Sequence, residues 1–367
     1  MFSGKHLLLL NPWAYDFTAC DFWLRPLGLL YLAAIIRQHT DYELHFIDCL
    51  DSSQIESGYN FRPRNRTDGR SSFFKEEVAK PEIFRNIPRK FSRYGLPYAQ
   101  VESRLEKIPA PTAVLITCTL TYWYQGVQAA VELVRKKFGS VPIILGGVYA
   151  TLCPEHARSQ SGADLVLTGP GENQILRILQ EIDGKDQFKS RAELPVFPDF
   201  DSLPSPAYEL SHNTSVLALL TSRGCPFHCS YCASRLLYQR FEQRQPEKVA
   251  AEIRYFRRTL GPEQIAFYDD ALLINKDRHL IKILEVLVGS KEKWRFHTPN
   301  GLHPREFDRE LARWLKISGF ESLFLSLETS DTNLLAETGA KVSPADLERA
   351  LAYLEEAGYG RSQISVY

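Results

Sequence analysis

The chain has 367 residues, 44% of them hydrophobic and 24% charged, with 44 basic side chains against 44 acidic ones. That length can bury two sizeable cores, and the charge balance offers no global field for nucleic acid or an anionic membrane. The longest apolar run, residues 27–36, is far too short to span a bilayer, and residues 1–6 lack the layout of a signal peptide. The chain therefore reads as cytoplasmic, where thiols stay reduced. Seven cysteines, three of them within eight residues, then point to metal binding rather than to disulfides.

In the first half, strand-like runs at 6–12 (HLLLLNP), 42–49 (YELHFIDC), 113–119 (AVLITCT), 142–147 (PIILGG) and 165–170 (LVLTGP) alternate with helical periods. The helices are expected over 27–40, 124–138, near 154–162 and over 172–182. Five strands alternating with helices predict a doubly wound, flavodoxin-like α/β domain over 1–185, with ligands at the carboxyl ends of its strands. A polar insertion from about 50 to 110 carries Arg62, Arg64, Arg66 and Arg70, then Phe73-Phe74-Lys75 and Arg93-Tyr94-Gly95. It reads as a solvated face, with a lid as the alternative. Residues 186–212, with Pro195, Pro198, Pro204 and Pro206, form the expected linker.

The second half repeats the alternation. Strands are expected at 216–223, 264–269, 294–299, 321–328 and 363–367, with helices at 246–260, 276–288, 306–317 and 344–357. Such a series predicts a TIM-type (β/α) barrel over 213–367, cut off after its fifth strand and therefore incomplete. Polar residues recur just past the strand ends: the cysteines after the first, Asp269 and Asp270 after the second, Asn300 after the third, Glu328 after the fourth. A barrel puts all such positions on one face, where active sites are built.

The cysteines are Cys225, Cys229 and Cys232, spaced C-x3-C-x2-C directly after the first barrel strand. A structural zinc site wants four protein ligands, so a Cys3His site would need His228 or His212. A [4Fe-4S] cluster held by three thiolates instead leaves one iron open to a substrate or cofactor.

This motif, with Tyr231 before its last cysteine, resembles the signature of the radical S-adenosylmethionine (radical SAM) superfamily. The resemblance implies a [4Fe-4S] cluster on Cys225, Cys229 and Cys232, with S-adenosylmethionine on the open iron. It also implies reductive cleavage of that molecule to a 5′-deoxyadenosyl radical, with an electron donor such as flavodoxin or ferredoxin. Carried over by position, Tyr231, Asp269, Asp270, Asn300, Ser326 and Glu328 are the expected S-adenosylmethionine contacts. Asp269 and Asp270 stand where many members have Gly-Gly-Glu, which leaves that contact open. The simpler reading of Asp269, Asp270 or Glu328 is a helix N-cap, and of Cys20, Cys49 and Cys153 an incidental or buried thiol.

The first half resembles the cobalamin-binding domain that precedes the barrel in one large subgroup. The resemblance rests on Leu10-Asn11-Pro12, residues 26–33, Ile47-Asp48, residues 146–151, and Gly169-Pro170-Gly171-Glu172. It implies cobalamin contacts around Thr119, Thr121, Gly146, Gly147, Gly169, Gly171 and Glu172. The histidine that ligates cobalt in mutase-type domains is missing, since Asn11-Pro12-Trp13-Ala14-Tyr15-Asp16 follows the first strand. The expected function is cobalamin-dependent radical methylation or rearrangement of a small-molecule or lipid substrate. The alternatives are a radical SAM enzyme without cobalamin and a non-catalytic iron–sulfur or zinc protein.

Overall fold

Leu7, Leu8, Leu9 and Leu10 are all fully buried on strand β1 (His6–Asn11). Burial on both faces is what a continuous apolar run demands, and it requires a parallel partner on each side and a layer above and below. Those partners are β2 (Glu43–Asp48) and β3 (Ala113–Cys118). The computed structural model describes residues 5–64, 66, 68–184, 188–189, 193–290, 292–339 and 341–367. The chain divides into two compact units, Met1–Phe197 with Leu203–Asn213, and Pro198–Ser202 with Thr214–Tyr367.

The first unit adds β4 (Ile143–Gly147) and β5 (Leu165–Val166) to give a five-stranded parallel sheet in the order β5-β4-β3-β1-β2. That is the flavodoxin-like order expected from the sequence. Helices α1 (Leu27–His39) and α6 (Ile175–Asp183) cover the face carrying Leu7 and Leu9. Helices α2 (Tyr98–Glu106) and α3 (Tyr124–Phe138) cover the face carrying Leu8 and Leu10. Between β4 and β5 lie two short helices, α4 (Val148–Leu152) and α5 (Pro154–Gln160), where the sequence suggested one.

The insertion is more ordered than a solvated face. Arg62, Arg64 and Arg66 are exposed as expected. Around them Ala14–Asp16, Ser92–Tyr94 and Lys75–Glu77 form a small antiparallel sheet. Phe73, Tyr94 and Leu96 join Trp13 in the first core. Trp13 donates its indole N–H to the Leu96 carbonyl at 2.6 Å, and Arg93 stacks 4.9 Å over the Tyr98 ring. These aromatics follow neither a helical nor a strand period, so their burial leaves no periodic signal. Of the expected linker, residues 186, 187 and 190–192 lie outside the described residues. Phe188, Ala207 and Tyr208 are buried, and the segment is divided between the units, Pro198–Ser202 going with the second and the rest with the first, rather than forming a free tether.

In the second unit β6 (Val216–Leu219), β7 (Gln264–Phe267), β8 (Phe296–Leu302), β9 (Phe320–Leu325) and β10 (Ile364–Val366) form one parallel sheet. Each strand neighbours the next in sequence, which is the order of a barrel arc. The crossovers are α7 (Pro246–Thr259), α8 (Leu280–Gly289), α9 (Arg309–Ser318) and α10 (Pro344–Glu356). Their apolar faces bury Val249, Ile253, Ile283, Leu311 and Leu354 against Phe267, Phe296 and Phe320. These three rings lie with centroids 5.2–5.5 Å apart. Among the described residues no helix is long and apolar enough to cross a membrane.

The packing of α3 on the first strand's exit is testable. A Cβ on Gly126 would lie 1.8 Å from the Trp13 carbonyl oxygen, whereas one on Gly28 of α1 would meet nothing within 4 Å. Gly126→Ala is therefore expected to destabilise the first unit by about 1–3 kcal/mol. Gly28→Ala is expected to stabilise it by up to about 1 kcal/mol, since alanine is the better helix former. Urea denaturation of both variants reads the opposite signs.

Candidate active site

The loop after β6 is anchored before its first cysteine. Ser222–Arg223 pairs antiparallel with Glu242–Gln243, and the Arg223 guanidinium lies 4.0 Å over the Phe200 ring. Asp269, buried just past β7, accepts hydrogen bonds from the Thr221 amide at 3.0 Å, the Thr221 hydroxyl at 2.7 Å and the Ser222 hydroxyl at 2.6 Å. Gly224 then turns the chain with φ +73°, and a Cβ there would lie 2.8 Å from the Arg240 carbonyl oxygen. Only glycine meets both conditions without strain.

Beyond this turn Cys225, Cys229 and Cys232 line one cavity of about 320 Å³. All three are free thiols. The Ser234 amide points at the Cys232 sulfur at 3.5 Å, a donor suited to a thiolate. Tyr231, Asp270, Asn300, Ser326 and Glu328 line the same cavity. Of the residues expected to meet S-adenosylmethionine, Asp269 alone is not among the lining. Its carboxylate faces Thr221 and Ser222, while that of Asp270 receives the Ser234 hydroxyl. Burial raises both carboxyls, Asp269 from 3.8 to about 6, against the pull of the hydroxyl donors. Neither aspartate caps a helix, and the N-cap near Glu328 is Asp331, which accepts from the Asn333 and Leu334 amides.

The strand ends fix the other walls. Asn300 donates to the carbonyls of Tyr268 at 2.7 Å and Asp269 at 3.2 Å, tying β8 to the loop after β7. Gly301 lets Ser326 approach, since a Cβ at 301 would lie 2.8 Å from the serine Cβ. Glu328 has a left-handed backbone with φ +70°, uncommon for a residue with a side chain. It is held by the Leu327 and Glu328 amides, which both donate to the Tyr367 carbonyl, at 3.2 and 3.1 Å. Strain of this kind collects at functional sites.

Ser234, Pro299 and Gly301 also line the cavity, as do Phe227, His303, Lys341 and Tyr367, which sequence reasoning does not single out. The Lys341 ammonium sits 4.0 Å from the Glu328 carboxylate. His303 is 3% exposed, packs edge-on to Phe227 at 4.6 Å, and its Nδ1 has no hydrogen-bond partner among the described residues. Burial, then the Lys341 and Arg305 cations, push its pKa down to about 3, so the ring is neutral at physiological pH. Position just past β8 was the one available signal for His303. Tyr367, just past β10, shared that signal, whereas Lys341, in the loop after β9, carried none.

The donor set fits an iron–sulfur cluster better than zinc. A tetrahedral zinc would hold its sulfurs ~3.8 Å apart. Among the described residues, the one group with three ligand atoms all within 4.8 Å is His6, Glu43 and His45, not the cysteines. The thiols thus share a cavity at wider spacing, as a cube of iron and sulfide requires. His228 is exposed and outside the lining, and His212 belongs to the first unit.

In the first unit the candidate cobalamin residues gather at the carboxyl ends of β3, β4 and β5. Thr119 follows β3, Thr121 opens the turn Thr121–Trp123, and Cys118 pairs with Gly147 across β3 and β4. The Thr151 hydroxyl donates to the Gly147 carbonyl at 2.9 Å and accepts from the Gly169 amide at 3.0 Å, joining two of the glycines. Cβ atoms on Gly146 or Gly169 would meet nothing within 4 Å, leaving open ground there. Gly171 accepts from the Gln174 and Ile175 amides and Glu172 follows it into α6. The segment after β1 offers no histidine. Asn11 donates to Asp48 at 2.7 Å and Asp16 accepts from the Trp123 indole at 3.1 Å.

The Radical SAM superfamily pattern matches residues 219–367. Among curated proteins, the chain is 24% identical to an uncharacterized methyltransferase of Pyrococcus horikoshii, over 87% of this chain and 64% of that protein. It is 23% identical to the cytidylyl-2-hydroxyethylphosphonate methyltransferase of Streptomyces wedmorensis, over 94% of this chain and 68% of that one. The chain thus spans about two thirds of the length of these relatives. Its fold is similar to that of the radical S-adenosylmethionine methyltransferase TsrM of Kitasatospora setae, solved with cobalamin and a [4Fe-4S] cluster. That likeness has TM-score 0.67 and 15% identity over 99% of this chain and 69% of that one. It is also similar to the cobalamin-dependent radical enzyme OxsB, with TM-score 0.62 and 15% identity over 99% of this chain and 49% of OxsB.

Asp269 gives a pH signature. A folded value of about 6 against an ordinary 3.8 means that the folded state binds this proton more tightly than the unfolded state. Stability from this group is therefore lost as pH rises from about 4 to about 6 and is level above, a change of ~3 kcal/mol. Asp269→Asn keeps an oxygen for Thr221 and Ser222 but cannot titrate. Denaturant titrations across this range should show the slope in the parent chain and not in Asp269→Asn; equal slopes would remove Asp269 as its source.

Proposed function

Residues 219–367 match the Radical SAM superfamily, and on that footing we propose that the chain is a cobalamin-dependent radical SAM methyltransferase acting on a small molecule. The observation that carries this reading is the cavity itself: three free thiols of one loop, walled by polar residues from the ends of neighbouring strands. Cys225, Cys229 and Cys232 would hold the [4Fe-4S] cluster, and the glycine-rich strand ends of the first unit would take cobalamin. When bound, these groups supply one-electron reductive cleavage of S-adenosylmethionine and methyl transfer; a flavodoxin or ferredoxin would be the electron source.

The protein's own work is to hold and to exclude. Asp269 and Gly224 fix where the cysteine loop leaves the sheet, and the Ser234 amide supports the Cys232 thiolate. Asn300, Ser326 and Glu328 offer polar groups to the amino acid and ribose portions of S-adenosylmethionine. Lys341 brings an ammonium group suited to its carboxylate. Phe227 and the neutral ring of His303 keep water from one wall. Cobalamin would be held without a histidine from the segment after β1, since residues 11–16 contain none. That same absence favours, as the second reading, a radical SAM enzyme that does not use cobalamin.

Anaerobic reconstitution with iron, sulfide, hydroxocobalamin, S-adenosylmethionine and a strong reductant tests both. The expected products are 5′-deoxyadenosine and S-adenosylhomocysteine, with the cluster and both products lost in Cys225→Ala, Cys229→Ala or Cys232→Ala. Bound zinc in place of a cluster would sink the radical reading, and a cluster-loaded chain that retains no cobalamin would leave the second reading standing. Lys341→Ala is expected to weaken S-adenosylmethionine binding at least about tenfold, or about 1.4 kcal/mol, measured by equilibrium dialysis on the cluster-loaded protein. Unchanged affinity would take the carboxylate away from Lys341.

A further inference from the structure

The opposite end of the first sheet carries a second set of metal donors. His6 is the first residue of β1 and Glu43 the first of β2, and they are register partners. Paired residues of parallel strands point to the same face, and the two-residue period brings His45 to that face as well. Their ligand atoms converge: His6 Nδ1 lies 3.1 Å from His45 Nε2, and Glu43 carboxylate oxygens lie 3.5 Å from His6 Nδ1 and 3.8 Å from His45 Nε2. All three fall within 4.8 Å of one another, which no other group of three such side chains among the described residues does.

We propose that His6, Glu43 and His45 bind a divalent transition-metal ion of the zinc class, independently of the cysteine cavity. Zinc takes nitrogen and carboxylate oxygen at about 2.0–2.2 Å, which at tetrahedral angles sets ligand atoms about 3.3–3.6 Å apart. The observed separations need only small side-chain adjustments to reach that geometry. Two imidazoles and one carboxylate are a recognised zinc set with a fourth position left for water. The imidazole side chains are 17% and 21% exposed and so already ordered, while Glu43 at 63% leaves the ion a way in.

In the metal-free protein one imidazole N–H bridges to the other ring. Binding puts the ion where that bridging proton lies, so the donor ring carries its proton on its other nitrogen instead, and both rings act as neutral donors. The consequence is mechanical. β2 is an edge strand, paired on the β1 side alone among the described residues, and the ion would staple its first turn of ladder to β1. Edge strands are where sheets open and pair wrongly, so the staple protects a weak point.

The test titrates the full, cluster-loaded chain with Co²⁺ under anaerobic conditions, so that the three cysteines are already occupied. The expected result is one further equivalent of metal. Its visible absorption should be that of nitrogen and oxygen ligation, with no thiolate charge-transfer band. His45→Ala should abolish it and Glu43→Gln, at an exposed position that leaves the fold intact, should weaken it at least tenfold. The triple variant Cys225→Ala/Cys229→Ala/Cys232→Ala should retain it. Zinc should also raise the melting temperature of the parent chain and not of Glu43→Gln. No saturable equivalent, or binding that persists unchanged in both His45→Ala and Glu43→Gln, would overturn the proposal.

Discussion

The candidate active site depends on one buried carboxylate. Asp269 collects the amide and hydroxyl of Thr221 and the hydroxyl of Ser222, so the strand that launches the cysteine loop is fastened to its neighbour at the point of departure. Burying that charge costs free energy, and the raised carboxyl is the sign of the cost. The return is positional. None of residues 225–232, which carry the three cysteines, is in the buried core, so the loop's placement comes from its root.

Each unit puts its candidate ligand residues at the carboxyl ends of parallel strands, and for the same reason. There the chain leaves the sheet with backbone groups unspent, and successive strand ends lie side by side. In the second unit the walls come from β8 and β9, where Gly301 and Ser326 make the closest approach, and from Glu328 just beyond. In the first, Thr151 gathers Gly147 and Gly169 through one hydroxyl. The two constructions differ in charge: the cysteine cavity holds carboxylates and an ammonium group, whereas the first unit's edge is largely glycine and threonine.

Much of this was legible in the sequence because apolar runs and strand-end motifs obey short periods. HLLLLNP reads as a strand buried on both faces, and the spacing C-x3-C-x2-C marks the loop that lines the cavity. The insertion's buried side chains leave no sequence pattern, because Phe73, Tyr94 and Leu96 reach the core through an irregular path. Asp269 and Asp270 are adjacent and chemically identical, so no pattern could tell that the first would brace the loop while the second lined the cavity. Lys341 arrives from the loop after β9, three crossovers beyond the cysteines, and nothing local marks it.

The left-handed backbone at Glu328 bears on how such a cavity can diversify. That conformation goes with two amides, of Leu327 and Glu328, converging on the Tyr367 carbonyl. The main chain there is a fixed socket, and the side chain is an exchangeable insert. Asparagine, aspartate and glycine tolerate that backbone best. Lineages can therefore trade charge, reach or empty space at position 328 while the wall stays where it is, which makes this one position a dial for what the cavity admits.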